Sequence, residues 1–591
     1  MSSLPTLASS PLNLVAIRDQ EKNRIKELLS QIEGEKCVII DSQINKQLIF
    51  VTEGSTVLKE CGITQFIALS NTVASITSPN VLFFIRPIPE DIKMTANYIR
   101  KLEEAESPAA FTIFFFPRIT RFVRELMKNE GILDSATIIS TNLDIYPMDD
   151  DLLVLGIPDS YAELYLKHDY TCLQLTADAL TMIQQLYGVI PAITALGPHS
   201  QAVVDMLLQA RTAGKLTEVD LPPEIDRLIL LDRGLDPVSA FVTPLTYEGM
   251  LDEVLGIERG AVTVSEKTLE LKGDKMLTIR LNNSDSFFQE MRDYNVVKVA
   301  RVLAQKVAQV GEEVKAKPQS GNVSMAEFME FQQKLPDLLN RKQLAQTHYG
   351  LFNAVSKVTN NEDFRARWQD EHAVLSGDGN PVDLVALADV GASFVTVMRL
   401  LILYSLVNNG LKPKMFDEVR HALLQIYGFD KLLLLHNLQK LGLLIPKETA
   451  GNFATIRARM RLEQDGVTGM DMSDMSYVTS GYAPLTGRLV QAILLQNGVS
   501  AEIQKLLPVS VKEYRQEMAS SLRENGMRKK VALVVLVGGM SYMEMAAIRQ
   551  LKRIEQCGYE IVMMTTDIIS GARVLRSLNK ELPQIPVAPN P

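Results

Sequence analysis

The sequence predicts an α/β protein with a large α-helical part: two doubly wound parallel-sheet domains, the second discontinuous, with a helical insertion that carries a long αα-hairpin. Three observations predict it. Short apolar runs alternate with amphipathic stretches over the first 150 residues or so. Further buried-strand runs lie near residue 230 and again beyond residue 530. Between them, about 246–481 shows almost no strand signal. Runs that are apolar on both faces and separated by helices mark parallel sheets covered on both sides.

In the first region the runs are CVIID (37–41), QFIAL (65–69), NVLFFI (80–85), FTIFFF (111–116) and ATIIS (136–140). Amphipathic pieces at 94–104 and 121–130 separate some of them, the latter closed by Gly131. The next runs are RLILLD (227–232), VALVVLV (531–537) and EIVMMT (560–565), the last two flanking a helical stretch at 543–555. A buried strand needs paired neighbours to satisfy its backbone, so the two distant segments belong to one sheet. The expected organisation is a first α/β domain over 1–147, a second over 148–245 and 482–591, and a helical insertion over 246–361 and 362–481.

Within the insertion, 286–316 and 324–357 read as long helices joined by the breaker-rich KPQSGN at 317–322. Arms of that length reach roughly 45–50 Å at 1.5 Å per residue. Ser324 and Glu327 have capping-box spacing for the second arm. In the first arm Val296, Ala300, Leu303, Val307 and Val310 recur at heptad-like spacing, with Val299 and Val302 as a second apolar row. Phe328, Phe331, Leu335 and Leu338 repeat similarly in the second, and Pro336 should kink it. One stripe per arm is explained by the arms packing on each other. The excess is either core contact or a helix-binding surface. Residues 286–360 carry ten Lys/Arg and seven Asp/Glu, a net of +3 in a chain of net −9, which suits an acidic amphipathic helix as partner.

Composition narrows the chemistry. With 61 basic and 70 acidic residues the mildly acidic chain is no general nucleic-acid binder. Four scattered cysteines suit a reducing cytosol and have no metal-ligand spacing. The longest apolar stretch, 395–407, carries Arg399 and is too short to span a membrane, so any membrane contact is expected through partners. The first fourteen residues read as a short disordered leader. Walker, dinucleotide-binding, zinc-protease, CxxC and GxSxG motifs are all lacking. Two weaker candidates remain. Gly538-Gly539 could present backbone N–H groups to a phosphate or could be a tight turn at a strand end. Asp232 and Asp236 could bind metal or act as nucleophiles, or could pair with Arg233, with no nearby His or Lys to complete a site. His199, His348, His421 and His436 read as surface or core-edge residues. No catalytic residue, metal or cofactor is expected.

The stretch LILLDRGLDPVSAFVTPLTYEGMLDEVLGI (228–257) resembles the LLDR-x-x-D and T-P-L-T-Y-E-x-x-x-D-E signature of the SM (Sec/Munc-type) family. QIYGFDKLLLLHNLQKLGLL (425–444), MSYVTSGYAPLTGRL (475–489) and VVLVGGMSYMEMAAIRQL (534–551) resemble its vacuolar protein sorting branch. The likeness runs in order along nearly the whole chain. It implies a non-enzymatic SNARE-binding subunit of the HOPS and CORVET tethering complexes. Such a subunit acts peripherally on late endosomes, lysosomes or vacuoles and templates the assembly of Qa and R SNAREs. It further implies that the hairpin holds SNAREs through Val296, Val299, Val302, Leu303, Lys306, Phe328, Phe331, Leu335 and Pro336. A helical-repeat class C subunit would contact the segment with Tyr427, Phe429 and Leu432. The alternatives are a nucleotide-dependent enzyme using Gly538/Gly539, or an SM protein of another trafficking step.

Overall fold

The fold begins with five parallel strands: β1 (Lys36–Ile40), β2 (Ile63–Ala68), β3 (Asn80–Ile85), β4 (Ala110–Phe115) and β5 (Ala136–Ser140). They lie in the order β2–β1–β3–β4–β5. β1, β3 and β4 are buried along nearly their whole length, whereas β2 and β5 alternate between covered and exposed positions, as edge strands do. Helices Pro89–Glu104 and Arg121–Asn129 bury Ile92, Tyr98, Ile99, Val123 and Met127 against Ile39, Phe83, Ile113 and Phe115. A short antiparallel pair, β6 (Tyr146–Asp149) and β7 (Leu152–Val154), follows. The computed structural model describes residues 4–52, 55–104, 109–214, 221–315, 325–448, 451–496, 498–516, 529–579 and 582.

Two compact units divide the chain, Thr6–Gly156 and a larger one over Ile157–Pro591. Leu7 and Leu12 are buried, so the segment expected to be a disordered leader packs on the fold.

The larger unit holds β8 (Ala192–Leu196), β9 (Arg227–Asp232), the hairpin of β10 (Ala261–Ser265) and β11 (Met276–Arg280), then β12 (Val511–Arg515), β13 (Lys530–Val537) and β14 (Tyr559–Thr565). The order runs β12–β8–β9–β13–β14. β9 pairs in parallel with β13, Leu230 opposite Val535, so strands from distant parts of the chain form one sheet, as expected. β12 closes the edge antiparallel to β8. The β10–β11 hairpin corrects the strand-free reading of the insertion; its residues are exposed or half-buried at most positions, and the apolar signal is correspondingly weak.

The first arm is not one helix. It consists of Ser286–Met291 and Val296–Lys315. The break at 292–295 is stitched to the segment before it: Tyr247 N–H donates to Tyr294 O (2.9 Å), Glu248 N–H to Arg292 O (3.0 Å), and Val296 N–H to Leu245 O (2.9 Å). Asn295 Nδ2 donates to Tyr477 O (3.0 Å) and Ser480 Oγ (3.1 Å), while its Oδ1 accepts from the Val297 N–H (3.2 Å). The second arm, Met325–Thr359, stays helical through Pro336. Val310 and Leu338 are buried where the arms meet, and Arg341 pairs with Glu313 at 2.6 Å. His348 is a core residue rather than an edge one. Its Nε2 bonds Asp285 Oδ2 (2.9 Å) and its Nδ1 bonds the Tyr247 hydroxyl (3.0 Å), with the Phe287 ring stacked alongside.

Asn295→Ala removes both donated bonds and the cap on the second segment. It should lower unfolding free energy by about 2 kcal/mol, read by urea denaturation; a change under about 0.5 kcal/mol would mean that the break does not depend on this side chain.

Candidate functional site

Both weak catalytic candidates are bonded into the surrounding fold. Asp232 Oδ2 accepts from the His199 N–H (3.1 Å) and meets His199 Nδ1 at 2.8 Å; Oδ1 accepts from Gly234 N–H (3.1 Å) and the Tyr165 hydroxyl. Burial alone would raise this carboxyl, yet His199, Tyr165 and Gly234 hold it below the usual range. His199 therefore does reach Asp232, contrary to the sequence reading, across 33 residues of chain. Asp236 accepts from Ser239 N–H (3.0 Å), Ser239 Oγ (2.6 Å) and Thr486 N–H (3.1 Å). Arg233 turns chiefly to Glu544, at 2.8 and 2.7 Å, and both side chains are fully buried.

The glycine turn is full. A Cβ on Gly538 (φ 94°) would lie 2.9 Å from Arg233 Cβ, and one on Gly539 (φ 109°) 2.4 Å from Ile569 Cγ2. Gly538 N–H donates to Thr566 Oγ1 (3.1 Å), Met540 N–H to Asp567 O (3.0 Å) and Ser541 N–H to Glu544 Oε2 (2.9 Å). Ser541 and Glu544 form a capping box on the following helix. The space a Cβ would need is filled, and the N–H groups of Gly538, Met540 and Ser541 are engaged within the fold. Among the described residues no group of three His, Cys, Asp or Glu is placed to hold a metal.

What the larger unit presents instead is apolar surface in two places. At the hairpin base, Leu245, Val296, Val297, Ala300, Phe352, Phe364 and Trp368 line an open cleft of about 400 Å³. Val297 is 58% exposed there. The second place is the segment around Pro413–Tyr427 and Leu432–Lys440, where Phe429 is 72% and Leu433 67% exposed, with Leu432 and Ile426 also exposed. Beside them a groove of about 400 Å³ is lined by Phe416, Val419, Leu435 and Leu444, with Arg420 and His436 at its edge. Apolar side chains grouped this openly mark interaction sites.

The Sec1 family model matches residues 36–577. The chain is a member of the Sec1 family. It is 30% identical to rat vacuolar protein sorting-associated protein 33A over 97% of this chain and 98% of that protein. It is 29% identical to the Arabidopsis thaliana vacuolar protein-sorting-associated protein 33 homolog over 98% of this chain and all of the other. Among solved structures it resembles the Unc18–syntaxin 1 complex from Monosiga brevicollis (16% identity, TM-score 0.58) and the SM protein Vps45 in complex with the Qa SNARE Tlg2 (14%, 0.57). Each likeness covers 95% of this chain and 98% of the other. The fold is that of SM proteins.

In this Sec1-family chain the expected hairpin residues separate. Val299 is fully buried and Leu303 nearly so, because the same face that repeats in the sequence packs into the unit's core; they are not surface. Val296 is buried but lines the cleft, and Val302 is half-buried. Lys306 pairs with Glu290 at 2.7 Å and lies over the Phe287 ring. Leu335 is half-buried and Pro336 exposed. Phe328 and Phe331 have side chains outside the described residues. Of the second set, Phe429 and Leu432 are exposed, whereas Tyr427 has a structural role: its hydroxyl donates to Ala392 O (2.7 Å) and its ring meets Phe394 edge-on. Sequence reasoning missed Val297, Phe352, Phe364 and Trp368. Val297 follows Val296 directly, and only the break at 292–295 decides which of the two valines faces outward.

Glu544→Ala leaves the Arg233 guanidinium buried without its countercharge and should cost about 3–5 kcal/mol. Chemical denaturation reads it; a cost below about 1 kcal/mol would show that Asp236 suffices.

Proposed function

We propose that this Sec1-family protein binds SNARE helices at its helical hairpin and templates their assembly for fusion at endosomal, lysosomal or vacuolar membranes, as the SM subunit of HOPS or CORVET. The observation that carries the reading is the open apolar cleft at the hairpin base, beside an arm pair with a net charge of +3. A cleft of this size admits large apolar side chains, and the basic arms favour an acidic helix. The full-length relatives named for vacuolar protein sorting support the trafficking step. The solved complexes of Unc18 with syntaxin 1 and of Vps45 with a Qa SNARE support the partner class. Holding one helix in place lowers the entropic cost of aligning the next, since free SNARE segments are disordered and fold on binding. The R SNARE would join the same template.

Attachment to the tethering complex falls to the second apolar place, through Phe429, Leu432 and Leu433, with a helical-repeat class C subunit as the partner. Membrane contact is then indirect; among the described residues no helix is long and apolar enough to cross a membrane.

Val297→Asp should weaken binding of a soluble Qa SNARE motif by roughly tenfold or more, read by isothermal titration, with an unchanged melt. Val299→Asp should instead lower the melting temperature. Wild-type affinity in Val297→Asp would remove the cleft from the reading.

Phe429→Asp should release the class C subunit in a pull-down while SNARE binding persists. Retention of that subunit would refute the contact, and its absence from wild-type pull-downs would refute the tethering assignment.

A further inference from the structure

One residue along the first arm from Val297, two cations meet with no anion between them. Lys298 Nζ lies 3.2 Å from Met472 Sδ, and an Arg553 guanidinium nitrogen lies 3.3 Å from the same sulfur. Both also sit over one face-rich aromatic, Tyr294, with Lys298 Nζ at 4.2 Å and the Arg553 guanidinium at 5.8 Å from the ring centroid. Touching one sulfur, they stand well inside the ~8 Å over which physiological salt screens charge. A thioether is a weak acceptor and does not neutralise either group. Burial, and then the neighbouring Arg553, hold the Lys298 ammonium below its ordinary range, which is the electrostatic cost of the arrangement.

The surrounding carboxylates are engaged elsewhere. Glu248 and Asp293 both face Arg549, at 3.1 and 3.2 Å. Asp471 accepts from Ser473 N–H (2.9 Å) and Oγ (3.0 Å), and Asp474 takes both terminal nitrogens of Arg488 at 2.8 Å. Among the described residues no carboxylate is within ion-pair distance of Lys298 or Arg553. The buried Tyr477 hydroxyl, within the field of Arg553 and Arg549, also has no hydrogen-bond partner. Glu248, Asp293, Arg549, Lys298 and Arg553 together carry a net charge of +1, which one monoanion cancels and a phosphate dianion would overshoot.

We propose that Lys298 and Arg553 receive one carboxylate, an Asp or Glu of the SNARE helix whose apolar residues enter the cleft beside Val297. The proposal rests on the hairpin reading above. Lys298 lies one position beyond Val297 on the helix whose Val296, Val297 and Ala300 line that cleft, and about 100° further round its axis. A helix that docks there and crosses the first arm at Val297 would meet both features, the apolar slot fixing its depth and the cation pair its register. Arg553 comes from the segment after the helix Tyr542–Gln550, so the bound carboxylate would tie the hairpin base to the α/β sheet's side of the unit.

The test titrates a soluble Qa SNARE motif into the full-length chain at low and physiological salt. Lys298→Ala and Arg553→Ala should each weaken binding roughly three- to fivefold and flatten its salt dependence. Both should melt no lower than wild type, because each removes one of two repelling charges. Wild-type affinity and salt slope in the Lys298→Ala/Arg553→Ala double variant, with Val297→Asp still disrupting binding, would overturn the carboxylate site alone. A melt lowered by several degrees in Arg553→Ala would make the residue a structural tether and overturn it too. Normal binding by Val297→Asp would overturn the cleft reading and this site with it.

Discussion

The ion pair between Arg233 and Glu544 is the constraint on which the larger unit depends. Both groups are fully out of water, and burial works against the Arg233 charge until Glu544 and then Asp236 override it and hold the guanidinium firmly protonated. The pair joins the end of β9 to the helix that follows β13, so it closes a sheet whose strands lie on opposite sides of the long helical insertion. Thr486 adds its hydroxyl to Glu544 at 2.6 Å and its N–H to Asp236 at 3.1 Å, which draws the returning chain onto the same point. A buried pair of this kind is a modest source of net stability and a strong determinant of arrangement, since every misregistered alternative leaves a charge uncompensated. The glycine turn belongs to the same lock. Gly538 has no side chain because Arg233 fills the space that one would need.

The hairpin is bonded at its base to the same unit. The segment Leu245–Glu248, which enters the helix Tyr247–Leu255, receives the broken first arm through three backbone hydrogen bonds, and Asn295 carries the connection on to Tyr477 and Ser480. His348 fixes the second arm to the same base through Asp285 and Tyr247. A template needs such anchoring. Order imposed on a disordered helix lowers the cost for its partners only if the template itself loses little freedom on binding.

Much of this was legible in the residues. β3 and β9 fall where their apolar runs lie, because strands buried on both faces leave an unambiguous signal. β8 and β12 did not show: AITAL is short and alanine-rich, and VKEYR is a polar edge. The break at 292–295 was also hidden. MRDYN reads as acceptable helix, and what ends the helix is pairing with a segment some fifty residues earlier in the chain. The same nonlocality decided the site. The heptad-like row in the first arm correctly marked a packing face, but periodicity cannot tell which packed face meets the core. Val299 went inward, and the exposed valine is Val297. Around Phe429 the structure leaves Phe429, Leu432 and Leu433 exposed, whereas Tyr427 turns to Ala392 and Phe394.

The charge distribution also changes meaning once the side chains are placed. A net of +3 over the hairpin describes a weak field spread along two arms, much of it screened or paired: Lys306 with Glu290, Arg341 with Glu313. Such pairs on the surface contribute little to partner choice. At the base, Lys298 and Arg553 share a thioether and a tyrosine ring instead of a carboxylate. On the proposed reading, specificity for an acidic helix would be a local matter rather than a property of the arm as a whole. The proposed carboxylate site follows Val297, which lines a cleft of about 400 Å³, so that apolar fit and charge would act on neighbouring residues of one partner helix.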